Sequence, residues 1–394
     1  MAEMLIGRHG ARSVVGTMQV LVARDGIAPF WKAFGILATA SVFLILSYYF
    51  VICGWMLDYF VFGVRGGFAG IDSAGATSAY NQMLADPVRM LIYSGIIIAI
   101  TAIVVANGIN KGIERVSGVL TPLRFVILFF LLIYSAVFAD IGAAAQFLFT
   151  IDWSKLTPGV VVTAFGQAFF SLGIGVGVMM TMGAYMKREY SITNAVLTVA
   201  LAQGLVALLA GLSIFPLVFT YGLEPTQGPG LIFVTLPVAF GQMPYGQVFG
   251  TLLFLFLSFA ALTATIVIQE TVVAVLEEYT RLSRRMLAYG SGLVIWLTGF
   301  ITVLSFNRWS DVHPLEWFGV TSSRTPFEVL DYLTSNLMMP LGGLMVALIA
   351  GWALPKAAVR AELGLGDGLA FRLWYGATRY LVPVAILIIF YSIL

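Results

Sequence analysis

The chain has 394 residues, 60% of them hydrophobic and only 10% charged, with a mean hydropathy of +0.96 and a formal net charge of +2. So little charge cannot cover a soluble surface, and a small net charge scattered over many loops excludes nucleic-acid binding. Cys53 stands alone, which excludes an internal disulfide and leaves a packing residue.

Apolar runs of about 20 residues cross a hydrocarbon core. They predict spans, in chain order, at 34–62, 90–107, 120–139, 160–185, 192–221, 245–279, 286–306, 326–354 and 373–394. The expected fold class is an all-α polytopic membrane protein, one transmembrane domain over 1–394, with the longer spans tilted or projecting from the bilayer. Basic residues concentrate in alternate loops, from Arg8, Arg12 and Arg24 through Lys111, Arg115, Arg124, Lys187 and Arg188 to Arg360 and Arg372. The other loops hold only Arg65, Arg89, Lys155, Arg308 and Arg324. Retention of Lys and Arg on the inner side therefore puts the N-terminus in the cytoplasm. Residues 222–244 carry Pro225, Pro229, Pro237 and Pro244 yet stay apolar, so they are expected to fold back on the outer mouth as a helical hairpin.

The fourth span is the most informative. Its sequence over 164–185, AFGQAFFSLGIGVGVMMTMGAY, places Gly173, Gly175 and Gly177 at alternate positions in mid-membrane. Each glycine weakens a helix by about 1 kcal/mol relative to alanine, so the helix is expected to open there. Backbone freed at membrane depth survives only where protein, ion, substrate or water satisfies it, which is the mark of a transport site. Close helix packing is the competing explanation of the glycines. A dinucleotide fingerprint is excluded, because GIGVG follows no strand.

Thr163, Gln167 and Ser171 recur every four residues and share the face that runs into the break. Ser258, Thr265 and Gln269 share a face of the sixth span, near Thr263 and Glu270, and Asp331 lies four residues before Ser335 in the eighth. Single hydroxyls in such helices commonly bond their own backbone. Buried amides and acids cost more, so Gln167, Glu270 and Asp331 point to function. His9 and His313 fall in loops on opposite sides, and no nucleophile, base or metal cluster shares a span, which argues against an enzyme.

These residues carry a family resemblance. GQAFFSLGIGVGVMMTMGAY at 166–185 resembles the broken sixth helix of the neurotransmitter:sodium symporter family, and SYYFVICGW at 47–55 its third. AGLSIFPLVF at 210–219 resembles the seventh helix, FAALTATIVIQETVVAVLEE at 259–278 the eighth and FEVLDYLTSN at 327–336 the tenth. GPGLIFVTLP at 228–237 is similar to the family's fourth outer loop. EMLIGRHG at 3–10 resembles the cytoplasmic end of the second helix, so on this alignment 34–139 match helices three to five, 160–354 helices six to ten and 373–394 helix eleven. The resemblance implies a leucine-transporter-type inverted-repeat fold with an incomplete first repeat, since the first helix and most of the second have no counterpart in the chain.

Function follows from the same resemblance. It implies a bacterial-type, sodium-coupled symporter in the plasma (inner) membrane, taking an amino acid or related amine by alternating access, with this chain impaired by the missing helix. A non-transporting remnant or accessory membrane protein is the alternative. The resemblance assigns Ile45, Tyr49, Phe170, Gly173, Val176 and Ile268 to the substrate. The apolar Gly173 and Val176 suit an aliphatic or aromatic side chain. It assigns Ser171, Gln203, Ala260 and Thr263 to sodium, with oxygen-only ligation suited to a hard cation. Gln203 departs from the family's asparagine, and Ala264 lacks a hydroxyl that the family places there. Gln167, Ser171 and Gln203 resemble chloride-site positions, while Ala207 leaves chloride dependence open. Asp331 resembles the outer gate, and Tyr185 with Glu278 the inner gate.

Overall fold

The computed structural model describes residues 1–223, 228–318 and 323–393. Among them the chain is helical and without strands. Eight helices among the described residues are long and apolar enough to cross a membrane: Pro29–Val64, Pro87–Ala106, Ile109–Phe138, Ile192–Thr220, Gly246–Tyr279, Arg284–Ser305, Pro326–Ala353 and Leu369–Tyr391. They match eight of the nine expected spans. The ninth, 160–185, is broken into two helices at its glycines.

The chain opens with α1 (Ala2–Gly10) and α2 (Val14–Arg24). Only the first of these was foreseen, because α2 is too short to register as a membrane run. Helix α3 (Lys32–Val64) is the axis of the bundle, and α2, α5 (Pro87–Ala106), α12 (Gly246–Tyr279) and α13 (Arg284–Ser305) pack around it. At about 1.5 Å per residue α3 exceeds a hydrocarbon core of about 30 Å, so it must tilt or project. Between α3 and α5 lies the short α4 (Ser73–Ala85). The Asp72 and Asp86 side chains cap α4 and α5 by accepting the Gly75 and Arg89 amides at 2.7 and 3.0 Å, satisfying amides that helix starts leave unpaired.

Helix α6 (Arg115–Phe138), the short α7 (Ile141–Phe149), α8 (Pro158–Leu172) and α10 (Ile192–Thr220) form a more peripheral layer, with α9 (Val178–Tyr185) turned inward. Three apolar clusters stack along the bundle. One surrounds Leu5, Val14, Phe34 and Met180. The middle one contains Ile45, Val176 and Ile266. The third is aromatic, with Tyr59, Phe68, Phe233 and Phe254.

The segment after α10 packs back onto the bundle, but its described part is a single helix, 231–242, rather than the expected hairpin. Leu231–Thr235 winds into α11 (Leu236–Gln242), with Phe233, Leu236 and Phe240 buried. Phe233 crosses Tyr59 edge-on at 5.0 Å, and its carbonyl accepts the Tyr59 hydroxyl at 3.0 Å. Pro225, in that segment, and Leu394, at the end of the last span, lie outside the described residues.

Candidate transport site

Helix α8 starts at the Thr157 cap, with Pro158 in its first turn, and ends at Gly173, whose φ of 60° and ψ of 40° are left-handed. The Gly173 amide donates to the Phe170 carbonyl at 3.1 Å and the Ile174 amide to the Phe169 carbonyl at 3.0 Å. This is the Schellman closure that a glycine permits at a helix end. Gly175 and Gly177 also have positive φ, 87° and 80°, and α9 starts at Val178. The break is therefore real, and it leaves the last carbonyls of α8 and the first amides of α9 outside any helical pattern.

A residue not foreseen seals one side of the gap. Glu3, 4% exposed on α1, accepts the Gly175 amide at 2.9 Å through Oε2. On the other side the break presses on the chain after Met338. A Cβ on Gly175 would fall on the Met339 carbonyl oxygen, and one on Gly342 on the Gly175 carbonyl. Both glycines serve close backbone approach, so the packing explanation and the unwinding explanation hold together.

Beside the break lies a cavity of about 690 Å³, within the range of about 300–1,000 Å³ that suits small molecules. Its wall includes Ile45 and Tyr49 from α3, Phe170 and Gly173 from the break, Val176, and Ile268 from α12. All six expected substrate residues thus meet on one surface. Ser171, Gln203, Ala260 and Thr263 line it too, as does Gln167. Gln203 on α10 donates through Nε2 to Ser171 Oγ at 2.9 Å, so this pair already faces one point. Thr263 donates to its own helix, at the Ala260 carbonyl at 2.9 Å or the Phe259 carbonyl at 3.0 Å.

The wall also holds Arg124, which by position alone passes for a loop-edge charge. It lies within α6, half-buried, and donates from Nη1 to Thr263 Oγ1 at 3.1 Å. An arginine inside an apolar run is the signal that could have found it. Ser117 and Thr121 extend the same face of α6 along the cavity.

The expected gate residues occupy separate places. Asp331 Oδ1 accepts the Ser335 hydroxyl at 3.0 Å where the helix widens into the π-helical turn Tyr332–Met338. Glu278 accepts Arg12 Nη1 at 2.9 Å and the Ser13 amide at 3.1 Å, at the start of α2. Tyr185 donates to Glu270 Oε1 at 2.7 Å rather than to Glu278. Glu270, fully buried, also pairs with Arg284, which reaches Glu277 at 2.9 Å. The remaining polar residues of the spans are structural: Thr163 and Ser258 bond their own helices, Thr265 meets Thr101, and Gln269 donates to the Ala288 carbonyl.

Residues 85–331 match the model of the Sodium:neurotransmitter symporter family. A Bacillus subtilis (strain 168) protein named as an uncharacterised sodium-dependent transporter, YhdH, is 34% identical over 100% of this chain and 85% of its own length. The chain belongs to the sodium:neurotransmitter symporter family. An uncharacterised sodium-dependent transporter of Haemophilus influenzae is 29% identical over 100% of this symporter chain and 86% of its own. The crystal structure of MhsT in complex with L-phenylalanine is similar over 100% of this chain and 87% of that one, at 35% identity and a TM-score of 0.89. These relatives agree with an integral multi-pass protein of leucine-transporter fold.

Proposed function

We propose that this protein is a sodium-coupled symporter that carries an aliphatic or aromatic amino acid across the plasma membrane. The observation that carries this reading is the gathering of Ile45, Tyr49, Phe170, Gly173, Val176 and Ile268 around one cavity at the glycine break. The C-terminal end of α8 presents carbonyls and partial negative charge, which suits a substrate ammonium or a sodium ion. The amides leading into α9 already meet a carboxylate, that of Glu3 at the Gly175 amide, so the substrate carboxylate needs another partner. Tyr49 and Phe170 cover the apolar remainder of the substrate and exclude water, strengthening the polar contacts beneath.

The donor set at Ser171 and Gln203 fits sodium, because a hydroxyl oxygen and an amide oxygen on facing helices can turn to one hard cation. Ala260 and Thr263 offer a second oxygen pair, but a sodium ion there requires the Arg124 guanidinium to leave. Gln167, Ser171 and Gln203 together also carry the N–H and O–H donors that chloride would use. Asp331 would close the outer mouth, and Tyr185 and Glu278 the inner one, as the bundle rocks about the cavity. The excess of Lys and Arg in alternate loops supports an N-terminus in the cytoplasm.

Labelled L-phenylalanine is the test substrate, because MhsT binds it in its crystal structure and the cavity wall here is mostly apolar. Binding to purified protein that rises with sodium and fails in potassium supports the proposal. Binding that is indifferent to sodium rejects the coupling, and no binding of any apolar amino acid favours a non-transporting member of the family.

A further inference from the structure

The Ala260–Thr263 position is where the expected chemistry and the observed geometry disagree. Thr263 has one hydroxyl proton and two lone pairs. The proton points at carbonyls of its own helix, Ala260 at 2.9 Å among them, and one lone pair receives Arg124 Nη1 at 3.1 Å. Thr263 thus keeps one free lone pair, on an oxygen that already receives a cation, and the Ala260 carbonyl already accepts the Thr263 proton. Ala264, on the next position of α12, supplies no further hydroxyl. Among the described residues no acid lines the cavity, and Arg124 is its sole charged side chain. Nothing on that wall offsets a second positive charge on the same oxygen, where two cations repel strongly at low dielectric. Nor can the guanidinium step aside by losing its proton, since arginine stays charged at any working pH.

We propose that the Arg124 guanidinium is a tethered cation that takes the place of a sodium ion beside Thr263 and Ala260, leaving Ser171 and Gln203 as the sodium-binding pole. The inference rests on the sodium-coupled reading above and refines it. The positive charge beside these oxygens is carried by a covalent side chain that ties α6 to α12. Its occupancy does not vary with sodium concentration, so the cycle couples to fewer ions and the sodium activation curve is less steep.

Saturation binding of radioactive sodium ions to the purified, lipid-reconstituted protein tests this. The wild type is expected to bind a single sodium ion, with affinity unchanged by Thr263→Ala and weakened about tenfold or more by Ser171→Ala. Arg124→Gln is expected to gain a second sodium ion that Thr263→Ala then removes, whereas Arg124→Lys, keeping the charge, gains none. Two ions in the wild type, or a comparable loss of affinity from Thr263→Ala alone, overturns the proposal while leaving sodium coupling intact. No sodium binding in the wild type or in any variant overturns the sodium-coupled reading and this inference with it.

Discussion

The two halves of the broken span differ in how they are held. Helix α9 buries Val178, Met180, Thr181 and Gly183 and packs on α1 and α12. Helix α8 is exposed over most of its length, only Phe169 and Leu172 being partly covered among its described side chains, and it rests mainly on the helices at 326–353 and 382–393. The break itself shows the same contrast residue by residue: Gly175 is clamped by neighbouring backbone, whereas Gly173 has open space where its Cβ would be. One half is anchored and the other is loosely held, so α8 and Phe170 are the half freer to turn at the break while α9 is fixed to the bundle. Segments that must move in a functional cycle are drawn from such weakly packed elements.

The contrast is broken most directly at the two glycines. Gly175→Ala combines a left-handed backbone with an overlap on the Met339 carbonyl and is expected to cost about 2–5 kcal/mol. Gly173→Ala carries the left-handed strain alone and should cost about 1–2 kcal/mol. Thermal unfolding of the detergent-solubilised protein, followed by tryptophan fluorescence, ranks them. Equal melting temperatures would remove the distinction between a clamped and an open side.

The crossing of α1 and α9 is the next largest effect. Gly7 faces the Met180 carbonyl and Gly183 the Met4 carbonyl, each without room for a Cβ. Gly183→Val should therefore separate the helices at about 1–3 kcal/mol. Gly166→Val on α8 has nothing near its Cβ and is expected to stay within about 0.5 kcal/mol. Comparable losses at both positions would mean that α8 is held by contacts this packing does not contain.

Glu3 comes third. Its carboxylate supplies the acceptor that the Gly175 amide would otherwise lack, and an orphaned buried amide costs about 1–3 kcal/mol. Glu3→Ala should lower the melting temperature accordingly, and Glu3→Gln, which keeps an acceptor oxygen, should recover much of the loss. Amide exchange near residue 175 is the sharper readout, rising in the alanine variant and little in the glutamine one. Unchanged exchange in Glu3→Ala would show that the gap closes without α1.

The break and the spans were readable beforehand, because glycine spacing and apolar run length are local properties of the chain. Ile45 and Ile268 came from resemblance rather than from spacing, since nothing local marks an isoleucine as a pocket residue. Glu3, Arg124 and the Gly7–Gly183 crossing escaped for a different reason. Each has its meaning only through a partner far along the chain: the Gly175 amide, the Thr263 hydroxyl and a facing backbone. A charge near the end of an apolar run looks the same whether it faces water or a cavity, which is how Arg124 was counted with the loops. Removing it from that count leaves the charge asymmetry in the same direction.

The smallest expected effect tests how α9's side of the molecule is fastened at its end. Arg12 is 59% exposed on its side chain where it meets Glu278, and pairs so open to water contribute about 0–1 kcal/mol. Glu278 also accepts the Ser13 amide, at the positive end of α2, where a carboxylate adds a few tenths of a kcal/mol. Glu278→Gln should therefore shift the melting temperature little, yet speed amide exchange in the first turn of α2. A gate acid matters through local opening rather than global stability, so these two readouts should separate. If Glu278→Gln instead lowers stability as much as Gly183→Val, the pair is a structural fastener and its assignment to the inner gate fails.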